Sequence, residues 1–452
     1  MTASAPGGRR WLLALVVAGS VHLLTTSGNW AILDHGEILY TARHLLHHGT
    51  FDLAPAGVPR LKFMPTVAAR PGYPVRSRFL PIPTLTLVPL LFVDERLGWA
   101  DDRAFGHVVH LQGHAFVLAG LALLGLAVRR RGGGDSAAAA AVLLDGLAWP
   151  VWLVSRRVGP EPVMIFLVCA YMLGEAAPAA RASRILRAAV CLLLPWTHAT
   201  GPQLSVALIL ASSLRIVSQG GPRPGRWREV APMVAATLVG TATMVYFWNY
   251  RLFGNWPRGG YAITDPAQSF GVHGILPGVF EHVTALALLM PVTLPLAFVG
   301  LWRAGRGAAA AFWPAAVTVT AVLILMFATF YSPEPPRRLA VACPAWAGIV
   351  GSTWDRLRLR TPWGQAAIAL QGLCGFAWFI QADGGWGGPG PGGLNLPQYV
   401  LWADLLRAGQ PWWTFMVAPV ALLIILILAS GNVWALLRSG DAPRLDRAAA
   451  TL

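Results

Sequence analysis

The chain has 452 residues, 55% of them hydrophobic and 12% charged, with a mean hydropathy of +0.55, a balance that excludes an ordinary soluble globular protein and makes the bilayer the solvent. Its formal net charge of +15 is carried almost wholly by arginine, Lys62 being the only lysine. In a soluble protein such a charge would point to nucleic acid. Here the basic residues stand in short clusters between apolar runs, which is a topology signal, and nucleic acid is not an expected partner.

In chain order the apolar runs predict spans at 11–28, 108–128, 137–154, 162–175, 185–199, 202–217, 230–248, 281–302, 309–330, 339–354, 363–380 and 413–437. Arg9 and Arg10 precede the first run, which could be a cleavable signal peptide but reads better as an uncleaved helix. A further apolar run at 79–93 has Pro81, Pro83 and Pro89, which remove backbone donors. Charge decides its placement. If it spanned, Arg129, Arg130 and Arg131 would fall opposite Arg9 and Arg10 and every later cluster would invert, so 79–93 is read as juxtamembrane or re-entrant.

With that choice the cytoplasmic loops hold Arg129 to Arg131, then Arg181, Arg184 and Arg187, then Arg215, Arg223, Arg226 and Arg228, then Arg303 with Arg306, then Arg356, Arg358 and Arg360, and finally Arg438. Both termini are expected to be cytoplasmic. The outer face of the cell membrane receives residues 29–107, 155–161, 249–280, 331–338 and the glycine- and proline-rich 381–412. The expected fold is therefore an all-α polytopic membrane protein of about 12 transmembrane helices with a long first outer loop containing juxtamembrane helices. Cys169, Cys191, Cys343 and Cys374 lie in or beside apolar runs without a C-x-x-C pair, and read as small core hydrophobes.

The densest group of chemically competent residues is Asp34-His35-Gly36-Glu37, directly after the first span. If 34–49 is helical, Asp34 and Glu37 share a face at i and i+3, the placement of a general base beside a second carboxylate. A solvated helix start is the plainer reading. His107, His110 and His114 also share a face, at i, i+3 and i+7, and could bind a divalent metal, though lone interfacial histidines are common and no metal is taken as required. His198, at a span junction, reads as a helix-break residue. No Walker A, dinucleotide glycine fingerprint or H-E-x-x-H motif is present.

Asp34, followed by Ala42-Arg43 and Gly49, resembles the GT-C superfamily of membrane glycosyltransferases, and more narrowly its ArnT and protein O-mannosyltransferase branch. That pattern is an aspartate after the first helix, an Ala-Arg pair on the next helix and a glycine ending it. Family members often place a second acid beside the aspartate, where this chain has His35. The run at 79–93 is similar to the family's juxtamembrane stretch, and Glu161 in Ser155-Arg156-Arg157-Val158-Gly159-Pro160-Glu161-Pro162 to the acid of its second outer loop. Asn249-Tyr250-Arg251-Leu252-Phe253-Gly254, with Gly260-Tyr261, and Pro336-Arg337-Arg338-Leu339, with Pro344, look like segments of bacterial members.

The resemblance implies an inverting glycosyltransferase that moves a sugar from a polyprenyl-phosphate donor to a glycan, lipid or protein acceptor at the outer face. Asp34 would be the base, with Glu37 and Glu161 as further catalytic candidates. Arg337 and Arg338, then Arg258 and Arg251, would meet the donor phosphate; headgroup contact at a helix end is the plainer role for the first two. Residues 1–260 would form the catalytic module and 261–452 would complete the lipid-donor groove. The alternative is a transporter or flippase of a lipid-linked sugar or other amphiphile, which predicts ionisable or broken-helix features near the bilayer midplane.

Overall fold

A computed structural model of the chain describes residues 10–25, 33–51, 53, 67–68, 75–77, 79–98, 108–219, 226–251, 275–329, 335–357, 359 and 362–385. The predicted span at 413–437 and the Gly-rich 386–412 lie outside them. The described chain runs through α1 (Arg10–Leu24), α2 (Leu33–His48), α3 (Pro81–Arg96), α4 (Leu111–Arg130), α5 (Asp135–Gly146), α6 (Trp149–Ser155), α7 (Pro160–Ala176), α8 (Arg181–Thr197) and α9 (Gly201–Ser218). It continues through α10 (Ala231–Thr243), prolonged by a π-helical turn over Met244–Tyr250, then α11 (Ile275–Leu289), α12 (Thr293–Ala308), α13 (Trp313–Thr329), α14 (Pro335–Leu339), α15 (Cys343–Thr353) and α16 (Pro362–Gly385). Among the described residues the departure from an all-helical chain is one antiparallel pairing between α2 and α3, Val67 with Arg76 and Ala68 with Val75.

Three helices, Leu111–Arg130, Gly201–Ser218 and Trp227–Tyr250, are each long and apolar enough to cross a membrane. Two of the predicted spans are not single helices. The stretch expected at 137–154 bends by 71° between α5 and α6, and that at 281–302 bends by 91° between α11 and α12, so the described residues hold up to five spans of full length if each bent pair counts as one. Proline explains both corrections. Pro150 has no N–H to give the carbonyl four residues earlier, and Pro291 interrupts the second pair in the same way.

A carbonyl freed inside a bilayer needs another donor. His22 of α1 supplies it, its Nε2 lying 2.6 Å from the Gly146 oxygen. The same solution recurs in α8, where Pro195 leaves the Cys191 oxygen without its helical partner and the Ser205 hydroxyl of α9 donates to it at 3.2 Å. In α3, Pro81 and Pro83 fall in the first turn, where the missing N–H groups have no helical partner anyway, and the run forms a 16-residue helix that carries Pro89 in its interior.

The core is assembled around α4, α5, α7 and α15 with α1, from Trp11, Leu121, Leu124, Leu144, Val168, Tyr171, Ile349 and Trp354 among others. In lipid such helices gain little from leaving the solvent, so close packing must hold them. At Gly240 a β-carbon would come within 2.5 Å of the Leu192 oxygen, which is how closely α10 approaches α8. Cys169, Cys191 and Cys343 are buried and Cys374 half-buried, and all four are free thiols.

Contacts sort the connections into two ends. At one, Glu175 of α7 pairs with Arg187 at 2.6 Å and Arg215 at 2.5 Å, and Arg215 pairs in turn with Glu229 at 2.5 Å. The Ser212 hydroxyl donates to Glu175 at 2.5 Å, and Arg356 to the Ala304 oxygen at 2.6 Å. Arg187 and Arg215, read from sequence as loop charges, are thus buried structural partners of a carboxylate. The reason is Glu175, which desolvates with α7 and must find counter-charges. At the other end the Arg156 side chain donates to the Thr25 oxygen and Trp152 to the Thr25 hydroxyl, joining the 155–159 connection to the end of α1.

Replacing His22 by Leu should destabilise the protein by about 1–3 kcal/mol, the cost of a buried carbonyl without a donor, read as a lower midpoint of thermal unfolding in detergent micelles. In a Pro150→Ala background, which restores an N–H for Gly146, the same change should cost less. Equal costs in the two backgrounds would contradict the assignment.

Candidate active site

The connection between α6 and α7 is built on the first turn of α4. Gln112 is wholly buried there, and its amide orientation is fixed by its neighbours, since Nε2 donates to the Pro83 carbonyl at 2.9 Å and to the Thr86 hydroxyl at 2.6 Å while Oε1 accepts the Gly159 N–H at 3.1 Å. One side chain therefore ties α3, α4 and the 155–159 connection. The next residue is Gly113, where a β-carbon would stand 2.3 Å from the Arg157 oxygen and 2.4 Å from the Ser155 oxygen, so only glycine lets the connection lie this close. His114 follows, its Nε2 donating to the His22 carbonyl at 3.1 Å.

The start of α4 is fixed from outside. Asp94, buried at the end of α3, accepts the Val108 and Val109 N–H groups with its two oxygens at 2.8 and 2.9 Å, which satisfies donors that a helix start leaves open. On the same face of α3, Leu87 and Leu91 pack with Ile38, Leu39 and Ala42 of α2, and with Phe79, Val109 and Val158. Gly49 ends α2 in the left-handed region at φ +66°, its N–H reaching the Leu45 oxygen at 2.9 Å. The Ala42-Arg43 and Gly49 pattern is thus the buried face and the stop of one helix, with Arg43 3.7 Å and His47 2.9 Å from Glu95 of α3.

Glu161 lies in the first turn of α7, and its carboxylate folds back over Gly159, where a β-carbon would stand 3.1 Å from Oε2. Arg337, 176 residues further on in α14, donates its Nε–H to Glu161 Oε1 at 2.5 Å, and the two residues are 5% and 4% exposed. His198 and Arg338 also act electrostatically on this carboxylate. Arg338 is half-buried, as is His198, which sits in extended backbone between α8 and α9. The Thr200 N–H donates to His198 Nδ1 at 3.2 Å, and the Thr200 hydroxyl lies 2.8 Å from the same nitrogen.

Glu161, expected as a catalytic carboxylate, and Arg337 with Arg338, expected at the donor phosphate, are therefore brought together. Asp34 stands in the first turn of α2, and its side chain lies outside the described residues. Glu37, one turn on, is buried, its carbonyl accepting the Thr41 hydroxyl at 2.7 Å. Arg251 is exposed at the end of the π-helical turn and is not among the charges acting on Glu161. Its neighbours Met244 and Trp248 pack with Leu80, Phe51 and Trp196, which brings that turn to the same end of the bundle.

Arg258, His107 and the side chain of His110 lie outside the described residues. Among the described residues no three His, Cys, Asp or Glu side chains gather closely enough to hold a metal ion. Two members of the site escaped sequence reasoning. His198 reads from sequence as a helix-break residue although its junction is expected on the outer side, and Gln112 carries no sequence reading although a lone amide in an apolar run is the kind of polar residue that joins helices in membranes.

Truncating one partner of the buried pair, Glu161→Ala or Arg337→Ala, should cost about 3–5 kcal/mol because it strands a charge away from water. The apolar double variant Glu161→Leu with Arg337→Met should cost less than the sum of the singles when unfolding is followed in detergent. Additive costs would show that the two side chains do not depend on each other.

No protein-family model matches the sequence, and no curated protein matches it either. Solved structures do match. The chain is similar to ArnT from Cupriavidus metallidurans bound to undecaprenyl phosphate, at 16% identity and a TM-score of 0.55 over 95% of this chain and 72% of that one. The apo state of that protein gives 17% identity and a TM-score of 0.53 with the same coverage. The archaeal oligosaccharyltransferase AglB from Archaeoglobus fulgidus, in complex with an inhibitory peptide and a dolichol-phosphate, is matched at 10% identity and a TM-score of 0.49 over 91% of this chain and 56% of that one. The likeness to these structures is one of helical fold, over 95% of this chain.

Proposed function

We propose that the protein is an inverting glycosyltransferase that moves a sugar from a polyprenyl-phosphate donor to a glycan, lipid or protein acceptor at the outer face of the cell membrane. The observation that carries this reading is the buried Glu161–Arg337 pair, with Arg338 and His198 beside it, at the end of the bundle where the connections expected on the outer side meet. A fold shared with a protein solved in complex with undecaprenyl phosphate supports the choice of donor.

In this reading the Asp34 carboxylate takes the proton of the acceptor hydroxyl as its oxygen attacks the anomeric carbon from the face opposite the phosphate. The bond from that carbon to the phosphate oxygen breaks, and the electron pair leaves with the lipid phosphate. The products are the glycosylated acceptor, with inverted configuration, and polyprenyl phosphate; Asp34 returns its proton to water. Arginine side chains stabilise the negative charge that develops on the leaving phosphate, the task for which a fixed guanidinium is suited. Glu37 tunes the potential around Asp34, and Arg251 and Arg258 are further candidates to meet the donor. Residues 1–260 supply the catalytic module and 261–452 complete the donor groove, with Arg337 as the point where the second part enters the site.

One observation favours the transporter reading. Asp145 is fully buried beside the break between α5 and α6, and neither carboxylate oxygen has a hydrogen-bond partner among the described residues. An ionisable residue at a helix break inside the bundle is what transport would use. The two readings separate in proteoliposomes given a panel of radiolabelled polyprenyl-phosphate sugars. Sugar transfer to an acceptor is expected; no turnover with any donor, together with lipid or solute translocation abolished by Asp145→Asn, would establish the transporter instead.

Asp34→Asn keeps the size of the side chain and removes the proton acceptor, so turnover should fall by roughly 10²- to 10⁴-fold while donor binding changes little. Glu37→Gln should have the smaller effect. Near-normal turnover of correctly inserted Asp34→Asn protein would transfer the role of base to another carboxylate.

A further inference from the structure

The end of the bundle opposite Glu161 carries more positive charge than its acids take up. Asp135 is held by Arg129 at 3.0 Å, Glu175 by Arg187 and Arg215, and Glu229 by Arg215; Asp355 is engaged as well. Four further arginines converge on the last turns of α12. Arg131, the residue after α4, donates to the Gly307 oxygen at 3.4 Å, and Arg356, in the turn after α15, donates to the Ala304 oxygen at 2.6 Å. Arg303 and Arg306 belong to α12 itself, with the Arg306 guanidinium 5.4 Å above the Trp313 ring. None of the four is in an ion pair among the described residues.

Gly305 makes the convergence possible. At φ +74° and ψ 161° it interrupts α12 in a conformation that glycine adopts without a side-chain penalty, and the carbonyls on either side of the break receive arginines from two neighbouring helices. Each of these contacts uses one N–H of a guanidinium that has five. Arg303, Arg306 and Arg356 are exposed, and Arg131 is half-buried. Withdrawal from water and the repulsion of Arg215, against the weaker pull of Glu175, hold Arg131 below the usual arginine value, as expected of a cation short of counter-charge.

The stretch of α12 leading to these arginines is apolar and open. Phe298 is 57% exposed and Trp302 85%, at i and i+4 on one face, and Val299 is exposed beside them. Arg303 follows Phe298 by about 7 Å of helix at 1.5 Å per residue. A soluble anion would use the arginines and leave the rings bare. An amphiphile uses both.

We propose that the end of α12 is a binding site for an anionic phospholipid, its phosphodiester headgroup held by Arg131, Arg303, Arg306 and Arg356 and its acyl chains lying along Phe298 and Trp302. The site is separate from the glycosyl-transfer reading and does not depend on it. Basic pockets between helices hold anionic headgroups because clustered guanidinium groups supply both charge and several donors there. A lipid bound in this way joins α4, from the first part of the chain, to α12 and α15 from the second.

The test uses the full-length protein in phosphatidylcholine nanodiscs, with lipids brominated on their acyl chains as quenchers of tryptophan fluorescence. The part of the quenching that Trp302→Phe removes reports this site. In the wild type that part should half-saturate at a mole fraction of brominated phosphatidylglycerol at least about three-fold lower than that of brominated phosphatidylcholine. Arg303→Gln with Arg306→Gln, at two exposed positions, should bring the two lipids to parity. Arg181→Gln with Arg228→Gln removes the same charge from other exposed positions and should keep the preference.

Equal half-saturation by the two lipids in the wild type would overturn the site. A loss of preference as large in the Arg181, Arg228 variant as in the Arg303, Arg306 variant would replace it by the diffuse attraction of a basic surface. Displacement of the brominated phosphatidylglycerol by inorganic phosphate at equimolar concentration would overturn the lipid as the ligand.

Discussion

Removing a carboxylate from water is costly enough that its position in a membrane protein is dictated by where a counter-charge can be brought. Glu161 illustrates the constraint. It is carried into the bundle by the first turn of α7, between Pro160 and Pro162, and its counter-charge comes from α14, 176 residues later in the chain. A helix of five residues cannot hold its own orientation in isolation, so the ion pair, with the packing of Leu339 and the start of α15 behind it, is what fixes α14. Arg338 is placed as a consequence, being the next residue on the same short helix. The site's geometry therefore depends on a contact between the two parts of the chain and not on either part alone.

The same rule operates on the backbone. Each proline within a helix deletes one donor, and the bilayer offers no water to replace it. At Pro150 the replacement is the ring of His22, at Pro195 the hydroxyl of Ser205, and each substitute belongs to a different helix from the carbonyl it serves. The 71° bend at Pro150 precedes the 155–159 connection, which lies over the first turn of α4, where Gln112 and Gly113 receive it. Local breakage of helices and assembly of the site thus share one cause. At the opposite end the Glu175, Arg187, Arg215 and Glu229 network holds α7, α8 and α9 in register by buried charge as well.

Much of this was legible in the amino-acid sequence, because hydropathy is a strong signal and because helix stops have chemical signatures. Gly49 ends α2 where a left-handed residue is needed, and the run at 79–93 forms α3, packed against α2 and the 155–159 connection. The bends escaped detection because an average over a window of apolar residues does not register one missing N–H, although Pro150 itself carried the information. Arg187 and Arg215 counted correctly as basic residues, but pairing with Glu175 is a property of three helices at once. Glu161 and Arg337 were each singled out, and their partnership was not, since nothing in linear order connects positions so distant. His198 was discounted because a histidine at a helix break has no local feature that points to Glu161.

The account turns on one placement: the phosphate of the lipid carrier should lie beside α14 at the end of the bundle where α1, α4 and the 155–159 connection meet. An experimental map of the protein in nanodiscs with undecaprenyl phosphate added tests this most directly. The account predicts phosphate density within hydrogen-bond reach of the α14 arginines, Arg337 and Arg338. Density instead at the opposite end, among Arg187 and Arg215, or inside the bundle at the α5–α6 break beside Asp145, would contradict it.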